Sequence, residues 1–328
     1  MAFGTLAALL AGHALLETAR DALFLEKLPA EYLPLAYLAI AAFALVVTGL
    51  NRQALQRFSR SRLLSASLVC GGLITAGFFV ILATPSPLLL GALYVWTGLL
   101  ATVVVVQYWL LLAERFDVGQ AKRLFSIIGA GGLVGATLGS IAASALLLAI
   151  DARGLLVAAG VMFVVAAMVP LGFAPKTEAP VKRRRLQSAP KQLGVALLKD
   201  RYLLRLFAMI LIGAVLVTGV DYLFKATAVV WVTGSGGDLG SFFARYYAIV
   251  NGISLAVQLV LAPRLLRWFG VTQTLLVLPA ILLAGSVGFV LTLGLVPVLL
   301  LKGADGALRH SVYRTGTEIL YLPLSRSV

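Results

Sequence analysis

The chain has 328 residues, of which 61% are hydrophobic and 12% are charged, and its mean hydropathy is +1.00. A soluble domain has about 45–50% apolar and about 25% charged residues, so the composition excludes a soluble domain and predicts a polytopic membrane protein. The formal net charge of +14 does not predict nucleic-acid binding, because the basic residues lie in short connections between apolar segments, as they do in cytoplasmic loops.

Ten apolar segments are each long enough to cross a bilayer as a helix, which takes about 20 residues. In chain order they are 2–25, 32–51, 62–84, 87–113, 122–149, 152–174, 203–225, 241–262, 271–293 and 295–319. The sequence therefore predicts an all-α polytopic membrane protein with about ten transmembrane helices.

The first span carries four ionisable residues within its apolar sequence. His13, Glu17 and Arg20 follow an i, i+4, i+7 spacing, so they share one helix face, which Asp21 joins. An Arg or Asp near the bilayer centre costs about 2.5–3.5 kcal/mol on insertion scales. We therefore expect this face to line a bundle interior or a water-filled cavity. Ion pairs within the helix that only ease insertion are the alternative.

The fourth span contains no buried acid. Its polar and aromatic residues are Tyr94, Trp96, Thr97, Gln107, Tyr108 and Trp109. One of these rings could stack on a substrate, although an interfacial aromatic belt explains Tyr108 and Trp109 equally well.

The fifth span contains a ridge of small residues. Gly131, Gly135 and Gly139 follow a GxxxGxxxG pattern, which lets two membrane helices approach closely. A nucleotide-binding glycine loop is excluded, because Val134 occupies a position where that motif needs glycine and no strand precedes the segment. The ridge therefore predicts close helix packing.

A proline-rich, basic stretch, APKTEAPVKRRRLQSAPK (174–191), divides six spans from four. It predicts an N-terminal half over 1–174, a cytoplasmic linker over 175–192 and a C-terminal half over 193–328. The tetrapeptide at 21–24, DALF, is similar to DYLF at 221–224, and the connection at 55–64 is similar to 265–276. Two parallel halves of this kind are the pattern of major-facilitator transporters.

The charge of the connections alternates along the chain. Lys and Arg cluster in the connections around 52–62, 115–123, 176–191 and 264–267, whereas the others hold little beyond Lys27 and Arg153. The excess of basic residues marks cytoplasmic loops. Both termini are therefore expected in the cytoplasm.

The seventh and tenth spans also carry charges. Asp221 and Lys225 lie four residues apart, and Lys302, Asp305 and Arg309 share a face of the tenth span. In the facilitator architecture the first, fourth, seventh and tenth helices line the central cavity, so three of those four carry ionisable groups here. Intrahelical pairing, and a position of Asp21 and Asp221 at headgroup level, are the alternatives.

Four stretches resemble the ATP/ADP translocase-like nucleotide transporters of plastids and intracellular bacteria, a branch related to the major facilitators. They are ARDALFLEKLPAEYLPL (19–35), FDVGQAKRLFSIIGAGGLVGATLGS (116–140), VDYLFKATA (220–228) and LKGADGALRHSVYRTGTEILYLPL (301–324). The resemblance implies nucleotide exchange that depends on a first-helix lysine, fourth-helix and seventh-helix glutamates and a tenth-helix lysine. The matching positions here are Arg20, Asp221 and Arg309, and the fourth-helix acid, expected near Thr97 or Gly98, is missing.

With the resemblance, the sequence predicts a secondary transporter that moves a nucleotide or other phosphorylated or anionic metabolite across the bacterial inner membrane by alternating access. We expect no enzyme activity, cofactor or metal site. The expected partners are this small molecule and the bilayer, nucleic acid is not expected, and the sequence does not identify a protein partner. The residues expected to bind the anion, or to pair with one another in the empty site, are Arg20, Arg309, Asp221, Lys225, Glu17, Lys302 and Asp305.

The alternative function is a non-transporting membrane anchor or regulatory module derived from such a transporter. Two observations favour it. The fourth-helix acid is missing, and the sequence stops after its tenth span, whereas the resembled family has about twelve helices.

Overall fold

A computed structural model describes residues 1–116, 118–171, 201–292 and 294–308, which contain ten α-helices and no strand. The helices are α1 (Ala2–Lys27), α2 (Leu33–Arg57), α3 (Arg60–Ile81), α4 (Pro87–Arg115), α5 (Val118–Leu146), α6 (Gly154–Leu171), α7 (Arg201–Gly234), α8 (Leu239–Ala256), α9 (Ala262–Thr292) and α10 (Leu295–Leu308). A 3₁₀ turn, Ala30–Tyr32, precedes α2, and a π-helical turn, Val257–Leu261, joins α8 to α9. The predicted all-α fold is confirmed.

The helices have the length and surface of membrane spans. Seven helical segments in the described part of the chain are long and apolar enough to cross a bilayer, and Gly154–Pro170 and Pro279–Thr292 are shorter apolar helices. Large aliphatic side chains lie exposed on the outside of the bundle, among them Leu45, 79% exposed, and Val215, 66% exposed. Such a surface is stable only against lipid, so the chain is a multi-pass membrane protein.

Polar N-cap residues precede two of the helices after tight turns. Ser86 precedes Pro87 at the start of α4, and its Oγ accepts a hydrogen bond from the Leu89 amide at 3.3 Å. Asp238 caps α8 in the same way and accepts from the Ser241 amide at 2.6 Å. These caps satisfy amides that have no partner within the first helical turn. They fix where α4 and α8 begin.

One predicted connection is helical in the structure. The sequence predicts a break between the spans 241–262 and 271–293, but helical hydrogen bonding continues from Leu239 through the π turn to Thr292. The prediction of that break is wrong. It depended on the basic residues near 264–267, and a basic side chain can reach the polar interface from within a helix. Charge therefore marks where the chain meets the interface, not where a helix ends.

The glycine ridge of α5 packs against α1, as predicted. A Cβ atom placed on Gly135 would overlap the main chain at Ala7, and one placed on Gly139 would lie 2.5 Å from the Ala11 carbonyl oxygen. Only glycine allows the two main chains to lie this close. On another face of α5, Ser140 Oγ accepts a hydrogen bond from Asn251 Nδ2 of α8 at 3.1 Å. Helix α5 therefore lies between α1 and α8.

The described helices form two groups, separated by residues 172–200. We call α1–α6 the N-terminal group and α7–α10 the C-terminal group. Consecutive helices joined by short connections run antiparallel, so the connections 28–32, 82–86 and 147–153 lie at one end of the bundle. Gly240, at the start of α8, lies next to Ala22 near the end of α1, so the 235–238 connection lies at the same end. We call it the low-charge end. The predicted 175–192 linker, Arg309 and the rest of the tenth span after Leu308 lie outside the described residues.

Candidate functional site

Two oppositely charged neighbours on α1 form the first part of the site. Asp21 is fully buried and Arg20 is 7% exposed. Arg20 Nε donates to Asp21 Oδ1 at 2.8 Å, and Arg20 Nη2 lies 3.4 Å from Glu17 Oε1. The Glu17 side chain is 36% exposed. The first-span charges therefore face the bundle interior, and Arg20 has two acidic partners on its own helix.

Lys225 of α7 connects this pair to the C-terminal group. Its Nζ lies 3.2 Å from Asp21 Oδ1 and donates to Asp221 Oδ2 at 2.8 Å. The Lys225 side chain is 1% exposed. An ammonium group buried this deeply is stable only when paired, and here it is paired with acids from both helix groups.

Lys302 of α10 completes the set of charges. Its Nζ donates to Asp221 Oδ1 at 2.6 Å, and its side chain is 19% exposed. Both carboxylate oxygens of Asp221 are therefore occupied by lysines, one from its own helix and one from α10. We call Glu17, Arg20, Asp21, Asp221, Lys225 and Lys302 the ion-pair cluster. It holds three positive and three negative formal charges.

Three tyrosines from three helices bind the ion-pair cluster through their hydroxyls. Tyr37 of α2 donates to Asp221 Oδ2 at 2.7 Å, and Tyr247 of α8 donates to Asp21 Oδ2 at 2.7 Å. Tyr94 of α4 accepts from Lys225 Nζ at 2.8 Å. The face of its ring also lies 4.4 Å from Arg20 Cζ, a cation–π distance. Each helix group thus supplies hydroxyls to charges of the other group.

The ion-pair cluster lies in the half of the bundle nearest the low-charge end. Tyr37, Tyr94 and Tyr247 come about 4–8 residues after the start of their helices, or roughly 6–12 Å at 1.5 Å per residue. Arg20 lies a similar distance from the end of α1 at Lys27. Close to the same end, an added Cβ at Gly240 would lie 3.6 Å from Ala22 Cβ. The two helix groups are therefore in contact there.

The structure brings together five of the seven residues that the sequence predicts for the site: Glu17, Arg20, Asp221, Lys225 and Lys302. Asp305 is buried on α10, one turn after Lys302. Arg309 lies outside the described residues. Glu17 and Asp221 pair with cations of the cluster. That any of these residues binds substrate stays a prediction.

The fourth helix contributes a ring and a hydroxyl to the site instead of an acid. At the positions of the missing acid, Thr97 Oγ1 donates to its own main chain at Leu93, 2.9 Å away, and Gly98 faces Ile40 of α2. Trp96 and Gln107 donate to Thr75 and Asn51 on neighbouring helices. Tyr94, one turn before Thr97, is therefore the α4 side chain that reaches the cluster.

Sequence reasoning missed four groups of the site. It did not assign Asp21 to the substrate site, gave Tyr94 no specific partner, and did not identify Tyr37 or Tyr247 at all. The similarity between DALF and DYLF does place Asp21 at the position that corresponds to Asp221, so this repeat was the available signal for Asp21. Tyrosine in an apolar helix carries no comparable signal, because it is equally common in cores and at membrane interfaces.

The chain is similar to known transporters in fold. It matches a solved structure of the nucleoside transporter NupG with a TM-score of 0.62 and 14% identity, over 100% of this chain and 83% of that one. A mutant form of NupG matches with a TM-score of 0.61 and 13% identity, over 99% and 91% of the two chains. A D-xylose–proton symporter matches with a TM-score of 0.59 and 16% identity, over 96% and 80%.

A comparison with curated protein sequences gives no match. The family model of the Major Facilitator Superfamily matches residues 24–308, which include α2–α10 and three of the six residues of the ion-pair cluster, Asp221, Lys225 and Lys302. This match covers most of the chain, and the fold is that of secondary transporters, not of enzymes. The chain belongs to the Major Facilitator Superfamily.

Proposed function

We propose that this protein is a secondary transporter that moves a nucleotide, or another phosphorylated or anionic metabolite, across the bacterial inner membrane by alternating access. The observation that carries the proposal is the convergence of Arg20, Lys225 and Lys302 from three helices and both helix groups. Basic groups are costly inside a membrane bundle unless they are paired or used. Three of them around one interface are suited to a multiply charged anion.

The chemistry of these cations fits a phosphate group. The Arg20 guanidinium can bind two phosphate oxygens in a planar fork. Lys225 and Lys302 act as point charges on flexible side chains. Glu17, Asp21 and Asp221 compensate the charge of the three cations. An anionic substrate would compete with these acids, so its affinity depends on how readily each acid releases its cation.

Uncharged nucleosides are the second candidate substrate class. Two of the solved structures similar in fold are of a nucleoside transporter, and the described cluster is formally neutral when Glu17 is counted. A neutral substrate would use the tyrosine hydroxyls and leave the ion pairs intact. The affinity for an anionic substrate should therefore depend on Lys302, whereas the affinity for a neutral nucleoside should not.

Binding to the purified full-length chain tests the proposal, with ADP, glucose 6-phosphate and adenosine as probes. We expect ADP or the sugar phosphate to bind and adenosine to bind more weakly. Lys302→Ala should weaken anion binding by about 10- to 100-fold, because a hydrogen bond to a charged group contributes about 1.5–3 kcal/mol. The variant should fold, because Asp221 retains Lys225 and Tyr37 as partners.

Lys27→Ala is the matched control, since Lys27 is an exposed lysine that pairs with Glu26 at the end of α1. It should leave anion affinity unchanged. Binding of adenosine alone, with equal affinity in Lys302→Ala and the parent, would replace the anion by a nucleoside. Absence of both binding and uptake in proteoliposomes would favour the membrane anchor or regulatory module instead.

A further inference from the structure

We propose that an anionic substrate displaces Asp21. The anion bound by Arg20 and Lys225 takes the place of the Asp21 carboxylate. This displacement releases the two helix groups from each other at the low-charge end. The inference rests on the proposed function, because it requires an anionic substrate. It adds a role for a residue outside the predicted substrate site and links binding to opening.

The contacts of Asp21 join the two helix groups through a single carboxylate. Its Oδ1 accepts a hydrogen bond from Arg20 Nε at 2.8 Å and lies 3.2 Å from Lys225 Nζ. Its Oδ2 accepts a hydrogen bond from the Tyr247 hydroxyl at 2.7 Å. Two of these three partners belong to the C-terminal group. Asp21 is fully buried, so its charge interacts without screening by water. Loss of this carboxylate would remove two contacts between the groups at once.

The same two cations are also the best placed to bind an anion together. Arg20 and Lys225 both approach Asp21 Oδ1, and both lie against the ring of Tyr94, at 4.4 and 5.4 Å from its centroid. Two like charges are thus held side by side by one acid oxygen. A phosphate group has more charge and more acceptor oxygens than a carboxylate. It would use the same donors, so phosphate and Asp21 cannot both be fully bound.

The other two acids of the cluster, Glu17 and Asp221, form no ion pair with the described residues of the opposite helix group. Glu17 contacts Arg20 of its own helix, so its displacement breaks no contact between the groups. Asp221 binds Lys225 and Lys302, which belong to its own group, and crosses to the other group through the Tyr37 hydroxyl. Of these acids, Asp21 is the one whose loss breaks an ion pair between the groups.

Because the anion and Asp21 compete for the same cations, anion binding and opening of the low-charge end favour each other. If an anion opens the low-charge end by displacing Asp21, then removing the Asp21 charge must both open that end and strengthen anion binding. A purely structural ion pair predicts the opposite for binding, because disrupting the site would misplace Arg20 and Lys225. The sign of the affinity change therefore separates the two roles.

Ala22 offers a reporter for opening. It neighbours Asp21, is 3% exposed and faces Gly240 of α8. In a Cys70→Ser background, Ala22→Cys should react slowly with a maleimide while the groups are in contact. The rate is measured on the full-length protein with no addition, with saturating ADP and with adenosine, and ADP affinity is measured on the same samples.

We expect ADP to raise the labelling rate about fivefold or more, the lower end of ordinary coupling between sites, and adenosine to leave it unchanged. Asp21→Asn should raise the rate without ADP by a similar factor and should increase ADP affinity several-fold. Glu17→Gln is the matched variant: it releases Arg20 within α1, so ADP affinity should rise while the labelling rate stays that of the parent.

Tyr247→Phe is a second, milder variant in case Asp21→Asn folds poorly. It removes one hydrogen bond between the groups and keeps the ring, so the labelling rate should rise. The displacement is overturned if ADP binds the parent without changing the labelling rate, or if Asp21→Asn lowers ADP affinity in a folded protein. Absence of ADP and glucose 6-phosphate binding to the parent would instead overturn the proposed substrate class, and the displacement with it.

Discussion

At the residue scale, Tyr94 contacts both Arg20 and Lys225 without adding a charge of its own. Its ring covers the Arg20 guanidinium and its hydroxyl accepts from Lys225, while Phe24 and Tyr37 pack around the ring at centroid distances of 4.9 and 6.0 Å. A neutral ring between two cations stabilises both without cancelling the charge that an anion needs. Tyr94 is therefore suited to positioning the cations.

Two substitutions of Tyr94 separate its two contacts. Tyr94→Phe removes the acceptor for Lys225 and should lower the free energy of unfolding by about 0.5–1.5 kcal/mol, the net value of a typical hydrogen bond. Tyr94→Leu should cost more, because a buried cation–π contact contributes about 2 kcal/mol in addition. Thermal unfolding and ADP affinity are the measurements. Tyr32→Phe, an exposed tyrosine of the 28–32 connection, is the control, and equal effects at both positions would contradict the role of Tyr94.

Five of the six charged residues of the ion-pair cluster could be predicted from sequence, and the contacts of its tyrosines could not. Arg20, Asp221, Lys225 and Lys302 stand out because ionisable groups are rare within apolar helices. Their mutual pairing depends on how the helices pack across residues far apart in the chain, such as Tyr37 and Asp221. The spacing of residues along one helix carries no information about such partners.

At the element scale, α5 is the helix whose packing the sequence predicts in most detail. The GxxxGxxxG spacing implies close contact with a neighbour, and the structure identifies this neighbour as α1 at Ala7 and Ala11. That the described residues form long apolar helices was also predictable, because apolar length alone predicts them. The helical continuity of α8, the π turn and α9 was not, because it depends on main-chain hydrogen bonds that neither hydropathy nor charge encodes.

Gly135→Leu tests the packing of α5 on α1. The new Cβ would overlap the Ala7 main chain, which cannot rotate aside as a side chain could. We expect a loss of at least about 1–3 kcal/mol, the range for overpacked cores, seen as a lower yield and a lower melting temperature in detergent. Gly129→Leu is the matched control on the same helix, since an added Cβ there meets nothing within 4 Å. Equal stability of the two variants would argue against the close contact.

At the scale of the whole molecule, the position of the ion-pair cluster decides which side of the membrane is closed. The cluster and the Ala22–Gly240 contact lie near the low-charge end, and the basic connections lie at the opposite end. If the basic connections are cytoplasmic, as their Lys and Arg content predicts, the contacts between the groups close the outer side. A cytoplasmic anion would then reach Arg20 and Lys225 first and would release Asp21 from within.

Cysteine labelling in whole cells tests this orientation. Thr84 is exposed in the 82–86 connection at the low-charge end, and unlike Ser86 it does not cap α4. In a Cys70→Ser background, Thr84→Cys should react with an impermeant maleimide added outside. Ser188→Cys, in the basic linker outside the described residues, should react only after the membrane is permeabilised. The excess of Lys and Arg in the connections near 52–62 and 176–191 is the physical reason, because such residues are retained on the cytoplasmic side. The reverse labelling pattern would show that the protein has the opposite orientation in the membrane. The cluster would then close the cytoplasmic side, and an external anion would displace Asp21.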